Sequence, residues 1–218
     1  MNQRLKRNPN LTLHIESQFR GLPVQAKFKP FVYEYLESIY ETFRKAFTEH
    51  PRTFAFRVDL RFPDGVEVSS DNAVISRFFE SLKAQLKADQ ANRARVGRVH
   101  PCTLRYIWVK ERSTRMKSHY HLLILLNNDT YNCLGDYDAP SGNMASRVKR
   151  AWASALACSF DALGGAVHFP NKPCYYVNQN SPLFFGMYRP LFKRVSYFAK
   201  DRTKKYGDGS NSFGCSRV

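Results

Sequence analysis

Apolar side chains recur along the first part of the chain in two different rhythms. Between Phe31 and Phe47 the positions Phe31, Val32, Tyr35, Leu36, Ile39, Phe43 and Phe47 return at helical spacing with charges between them, which predicts an amphipathic helix. From Phe54 to Phe62 (FAFRVDLRF) the rhythm becomes strict alternation: Phe54, Phe56, Val58, Leu60 and Phe62 share one side, and Arg57, Asp59 and Arg61 the other. A strand with one core face and one polar face is expected there, ended by the turn residues Pro63, Asp64 and Gly65. Asp71 is a candidate cap for a second helix, in which Val74, Ile75, Phe78, Phe79, Leu82 and Leu86 keep helical period to about Asp89. Arg93 to Arg98 reads as a basic loop.

Two further strands, Thr103 to Lys110 and His119 to Leu126, flank the polar segment ERSTRMKS in the manner of a hairpin. A helix from about Met144 to Cys158, a Gly-Gly step and a short strand at Ala166 to Phe169 come next. A loop rich in Asn and Pro then leads to a last helix from about Pro190 to Lys204, and the tail GDGSNSFGCSRV reads as loop. Helices interleaved with antiparallel strands imply an α+β fold: a central antiparallel sheet of four to five strands, helices packed on one face, and the other face free to hold a site. At 218 residues the chain has room for one substantial domain. Residues 1–30 read as a basic N-terminal arm and 31–218 as a single domain that includes the first helix.

Charge narrows the function. The 34 Lys and Arg against 18 Asp and Glu give a net charge of +16, the footprint of a protein that sits on a polyanion. Twelve Tyr and 17 Phe are interleaved with these cations and supply apolar surface for a core and for base stacking. No apolar run is long enough to span a bilayer and the amino end carries no signal-peptide pattern, so a cytoplasmic protein with no membrane role is expected. Five cysteines, far apart and without a CxxC pair, read as reduced and mostly buried thiols.

The chemistry is concentrated in the hairpin. His119 and His121 bracket Tyr120 at the start of a strand, so alternation projects both imidazoles from one face, where they can chelate one divalent ion. Glu111 ends the preceding strand, and a hairpin returns it beside His119 as a third ligand. Two imidazoles and one carboxylate leave positions open for a phosphate oxygen and suit Mg²⁺ or Mn²⁺. On the last predicted helix Tyr197 is followed one turn later by Lys200, on the same helical face. A phenol is a weak nucleophile at neutral pH and gains from a nearby cation.

In this order the segments RVDLRFP (57–63), YIWVKE (106–111), HYHLLILLN (119–127), AVHFP (166–170), SYFAK (196–200) and SFGCSR (212–217) resemble the HUH superfamily of rolling-circle replication initiators, relaxases and single-tyrosine transposases. They are most similar to its short replication-protein-like family from filamentous phages (inoviruses) and prophages. The histidine triplet and the tyrosine segment are the specific motifs. The resemblance implies a sheet with both histidines at its centre, an HUH/RRM-like nuclease domain, and a metal held by His119, His121 and Glu111. It makes Tyr197 the nucleophile and Lys200 its electrostatic partner. The implied activity is site-specific nicking and joining of single-stranded DNA, at an origin or hairpin, through a 5′-phosphotyrosine, initiating rolling-circle replication of a phage or prophage element in a bacterial cytoplasm.

No Gly-x-x-x-x-Gly-Lys-Ser/Thr loop is present, so unwinding would fall to a host helicase. Two other readings stand beside this one: a non-catalytic DNA-binding regulator with the same fold, and a single-tyrosine transposase or relaxase. Asp59, Arg57 and Arg61 read as a strand-face salt-bridge set outside the site, His168 as a structural histidine, Lys204 and Lys205 as phosphate contacts or solvated charges, and Tyr206 as a second tyrosine near the first.

Overall fold

The alternation at Phe54 to Phe62 is realised as the strand Arg52–Arg61 in a computed structural model, which describes residues 3–63, 72–112, 118–204, 206–207 and 209–217. Strands β1 (Arg52–Arg61), β2 (Arg105–Arg112) and β3 (Ser118–Asn127) form the centre of a sheet, with β3 in the middle and antiparallel to both neighbours. Strands β4 (Val167–His168) and β5 (Cys174–Asn178) pair with opposite ends of the outer edge of β1, and β6 (Phe213–Cys215) pairs with the outer edge of β2. Among the described residues this antiparallel sheet has six strands, ordered β5-β1-β3-β2-β6 with β4 off that path.

Two of those strands were expected to be loop. β5 falls in the Asn- and Pro-rich segment, and β6 in the tail. Both are short edge strands whose only ladder is with a partner far away in sequence, so neither has room for a readable period. At β6 the fit is close: a Cβ on Gly214 would lie 2.6 Å from Trp108 Cε2.

Among the described residues four α-helices cover the sheet: α1 (Tyr33–Glu49), α2 (Ala73–Ala94), α3 (Met144–Leu156) and α4 (Phe184–Val195). The expectation that helices pack on one face is overturned. Phe54, Phe56, Val58 and Leu60 of β1 and Leu122, Ile124 and Leu126 of β3 share one core with α2 and α3. Ala55 of β1, Ile107 and Val109 of β2, and Leu123 and Leu125 of β3 share a second core with α1 and α4. The reason lies in β3: LLILL is apolar at successive positions and therefore on both sides, as in any strand covered on both faces. The alternation of β1 suggested an open face, yet its second side carries the buried Thr53 and Ala55, and it becomes charged from Arg57 and Asp59 onward.

Several boundaries also move. α2 continues to Ala94 and takes in Arg93, which was placed in a loop. α4 starts at Phe184, holds Pro190 inside it and ends at Val195; Tyr197 lies in a separate 3-10 turn, Ser196–Ala199. Asp64, Gly65, Asp71 and the connection 113–117 lie outside the described residues. The segment read as a basic arm is folded from residue 3 onward. Its strand Asn8–His14 pairs with Phe31–Val32, and Phe19, Leu22 and Val24 are buried in the second core. The cysteines form no disulfide among the described residues, but none is fully buried: four are half-buried and Cys133 is exposed. No described helix is long and apolar enough to cross a membrane.

Candidate active site

The second core stops short of one end of the sheet, and there the polar positions of the three central strands meet. Antiparallel register sets Asp59 opposite His121 and Arg61 opposite His119, while on the other side Glu111 is opposite His119. Asp59, Glu111, His119 and His121 all point to the face of α1 and α4, because they share parity with Ala55, Val109 and Leu123. The ligand atoms of Glu111, His119 and His121 lie within 4.8 Å of one another. The two Nε2 atoms are 3.1 Å apart, and His121 Nε2 is 3.6 Å from Glu111 Oε2. The hairpin does bring the three sequence-predicted ligands together.

Asp59, set aside in the sequence as a salt-bridge residue, belongs to the site. Its Oδ1 lies 2.6 Å from His121 Nδ1, which fixes the Nδ1–H tautomer and leaves the Nε2 lone pair facing His119 and Glu111. A lone pair facing a carboxylate calls for a cation between them, a proton or a metal. Burial works against a charged imidazole, but hydrogen bonds and charge from Asp59 and Glu111 outweigh it and raise the His121 pKa. Burial likewise disfavours ionised Asp59, and His121 nonetheless holds it below its ordinary value. His168, half exposed on β4, places Nδ1 3.6 Å from Asp59 Oδ2, so it is a neighbour of the site.

The turn after α4 closes the site from the helical side. Tyr197 donates its hydroxyl to Glu111 Oε2 at 3.3 Å, and Lys200 Nζ lies 3.0 Å from that same oxygen. Lys200 therefore is the partner of Glu111 first; toward Tyr197 it sits over the ring, 3.5 Å from the centroid. Thr203 Oγ1 at 2.9 Å and Lys204 Nζ at 3.1 Å occupy Glu111 Oε1. Lys204, read as a phosphate contact or solvated charge, is instead buried, and burial draws its ammonium down to about 8 against the pull of Glu111. Burial also disfavours the Glu111 carboxylate, but His121, Lys204 and Lys200 hold it far below the usual carboxylate range. Burial and the Glu111 charge push the Tyr197 phenol up, so in this state it is a protonated donor.

Residues of the N-terminal segment brace this turn. Gln25 donates its backbone N–H to Ser196 Oγ and its side-chain amide to the Arg194 carbonyl, each at 3.0 Å, and Phe28 packs edge-on against Tyr197. Tyr206 is turned away to Asp201, to which its hydroxyl donates at 3.2 Å; Lys205 lies outside the described residues. No periodic signal could mark Thr203 or Lys204, since the chain beyond Ala199 is not helical. Asp59 was within reach of pattern reading once β1 is known to neighbour β3.

Residues 15–216 match the model of the YagK/YfjJ C-terminal domain. The chain belongs to this family. Among YagK/YfjJ relatives, the uncharacterized protein YagK of Escherichia coli (strain K12) is 38% identical over 197 residues, covering 86% of this chain and 94% of that protein. The uncharacterized protein YfjJ of the same strain is 36% identical over 203 residues, covering 88% and 98%. No solved structure matches the chain. The YagK/YfjJ match thus runs over every element that builds the site, from the bracing segment to β6.

Proposed function

We propose that this YagK/YfjJ-family protein is a metal-dependent endonuclease of the HUH type that nicks and rejoins single-stranded DNA through Tyr197. The observation that carries this reading is one contact: the only tyrosine hydroxyl bonded to the Glu111–His119–His121 cluster, among the described residues, is that of Tyr197. A nucleophile touching a candidate ligand set is the arrangement phosphoryl transfer needs.

The donor set fits a divalent ion. Two imidazole nitrogens ligating one ion at about 2.1 Å each sit about 3 Å apart when the angle at the ion is near square, matching the spacing of the two histidines. A His-His-Glu set with open positions suits Mg²⁺ or Mn²⁺ in this role, and such an ion supplies charge to polarise a phosphate oxygen. The remaining chemistry belongs to the side chains. Arg57, Lys200 and Lys204 outnumber Asp59 and Glu111 by three to two, which suits a phosphodiester. Tyr197 oxygen bonds to phosphorus as the bond from phosphorus to the 3′ oxygen breaks, and the phenolic proton ends, by way of solvent, on that 3′ oxygen. One ester is exchanged for another, and no energy source is consumed.

The biological setting, initiation of rolling-circle replication of a phage or prophage element with a host helicase, rests on the motif resemblance. A second reading, a DNA-binding regulator without catalysis, is favoured by a different observation: both Glu111 oxygens are already satisfied by Thr203 and two lysines, so the fold holds together without an ion. One experiment separates the two. Purified protein is incubated with labelled single-stranded oligonucleotides and Mn²⁺ and resolved on a denaturing gel beside Tyr197→Phe and His121→Ala. A metal-dependent covalent adduct lost in both variants supports nicking. Binding without any adduct across a broad oligonucleotide pool supports the regulator.

A further inference from the structure

Arg57 is the charged residue of the site with the fewest commitments. It sits on β1, on the same face as Asp59, and its side chain is only 11% exposed. Its Nε is buried with no hydrogen-bond partner. Its one ion contact, Nη2 to Asp59 Oδ1, is long at 3.4 Å, and that oxygen already receives His121 Nδ1 at 2.6 Å. A guanidinium paired with a carboxylate ordinarily forms a shorter, two-pronged contact. What fixes this one in place is the Phe198 ring, 5.2 Å from the guanidinium carbon.

A cation kept nine-tenths out of water with most of its donors unspent is costly unless an anion completes it. The space for that anion is beside it. Arg57 lines a cavity of about 570 Å³ together with Phe28, His121, Lys193 and Tyr197. That volume is within the range of ligand-binding clefts, and it suits a nucleotide. Of the two other cations on the wall, Lys193 is exposed to solvent, and Arg194 is already spent: its Nη atoms bond the Asn171 and Lys172 carbonyls and the Tyr175 hydroxyl at 2.8 to 2.9 Å. Asp59 is the acidic neighbour, and its charge is engaged by His121.

We propose that the Arg57 guanidinium is a phosphate receptor, holding a backbone phosphate of the bound single strand in this cavity beside Tyr197. The inference deepens the nicking reading, since it takes the strand as ligand, but its test is one of binding. Titration calorimetry with thymidine 3′,5′-bisphosphate, in the presence of a chelator so that no metal contributes, compares the wild type with Arg57→Gln and Arg57→Lys. The glutamine variant is expected to bind about 10- to 100-fold more weakly, the loss of charge-assisted hydrogen bonds. The lysine variant, which keeps the charge but not the fork, falls between.

Wild-type affinity in a folded Arg57→Gln protein overturns the inference. If that variant does not fold, Arg57→Lys decides alone: affinity equal to wild type overturns the inference, and a loss of about fivefold or more supports it. Absence of bisphosphate binding by the wild type overturns it as well. Failure of the nicking reading looks different. Arg57-dependent binding with no Tyr197 adduct leaves the receptor standing and removes the nuclease. An adduct formed by Arg57→Gln with unchanged KM for the strand does the reverse.

Discussion

Replacing Asp59 tests whether the cluster is a metal centre, because Asp59 touches no candidate ligand atom and reaches the ligand set through His121. Its Oδ1 fixes the far side of the imidazole at 2.6 Å. In Asp59→Ala the ring loses its tautomer bias: a proton on Nε2 would point into the space between His119 and Glu111 and block ligation. Loss of a carboxylate behind a ligating histidine ordinarily weakens metal binding about 10- to 100-fold, which is about 1.4 to 2.8 kcal/mol. The same change leaves the Arg57 guanidinium without its only ion contact, so some stability is lost too, about 1 to 3 kcal/mol for an orphaned buried group. Asp59→Asn, of equal size and still an acceptor through Oδ1, should lose less of both. The assay is calorimetric titration with Mn²⁺ at a temperature where melting curves show each variant fully folded. Metal affinity of Asp59→Ala within twofold of the wild type would refute the reasoning, because the His121 tautomer would then not matter to the site.

Two further predictions concern the frame of the fold. Gly214→Ala drives a Cβ into the Trp108 ring, so β6 must move off β2; a loss of about 1 to 3 kcal/mol is expected, read as a lower denaturant midpoint. Unchanged stability would mean that β6 is not docked as described. Arg105, almost fully buried, holds Glu49 at the end of α1 through its Nε and Nη2, and that hydrogen bonding keeps the Glu49 pKa below its ordinary value. A depressed carboxylate adds stability above its unfolded pKa of about 4.3 and loses it as pH falls through the folded value. Melting temperature should therefore fall below that pH more steeply in the wild type than in Glu49→Gln, and parallel curves would dismiss the pair as a pH-dependent element.

What the sequence determined by itself was local. Period and alternation located α1, α2, α3 and the three central strands to within a few residues, since each is long enough to repeat its pattern. The His-Tyr-His spacing on a strand and the hairpin before it were sufficient to bring Glu111, His119 and His121 together, because strand alternation and hairpin return are themselves local rules. Tertiary structure decided the rest. Whether one face or two of the sheet is covered depends on which helices cross over it, a matter of long-range connection that no window of sequence contains. Asp59 enters the site only because β1 lies beside β3, and Arg57 follows it there. Lys200 and Lys204 meet Glu111 across about ninety residues of chain, and their burial, which changes their chemistry from solvated charges to held ones, is a property of the packed molecule: desolvation is set by what surrounds a group in space, and its neighbours in sequence carry no record of that.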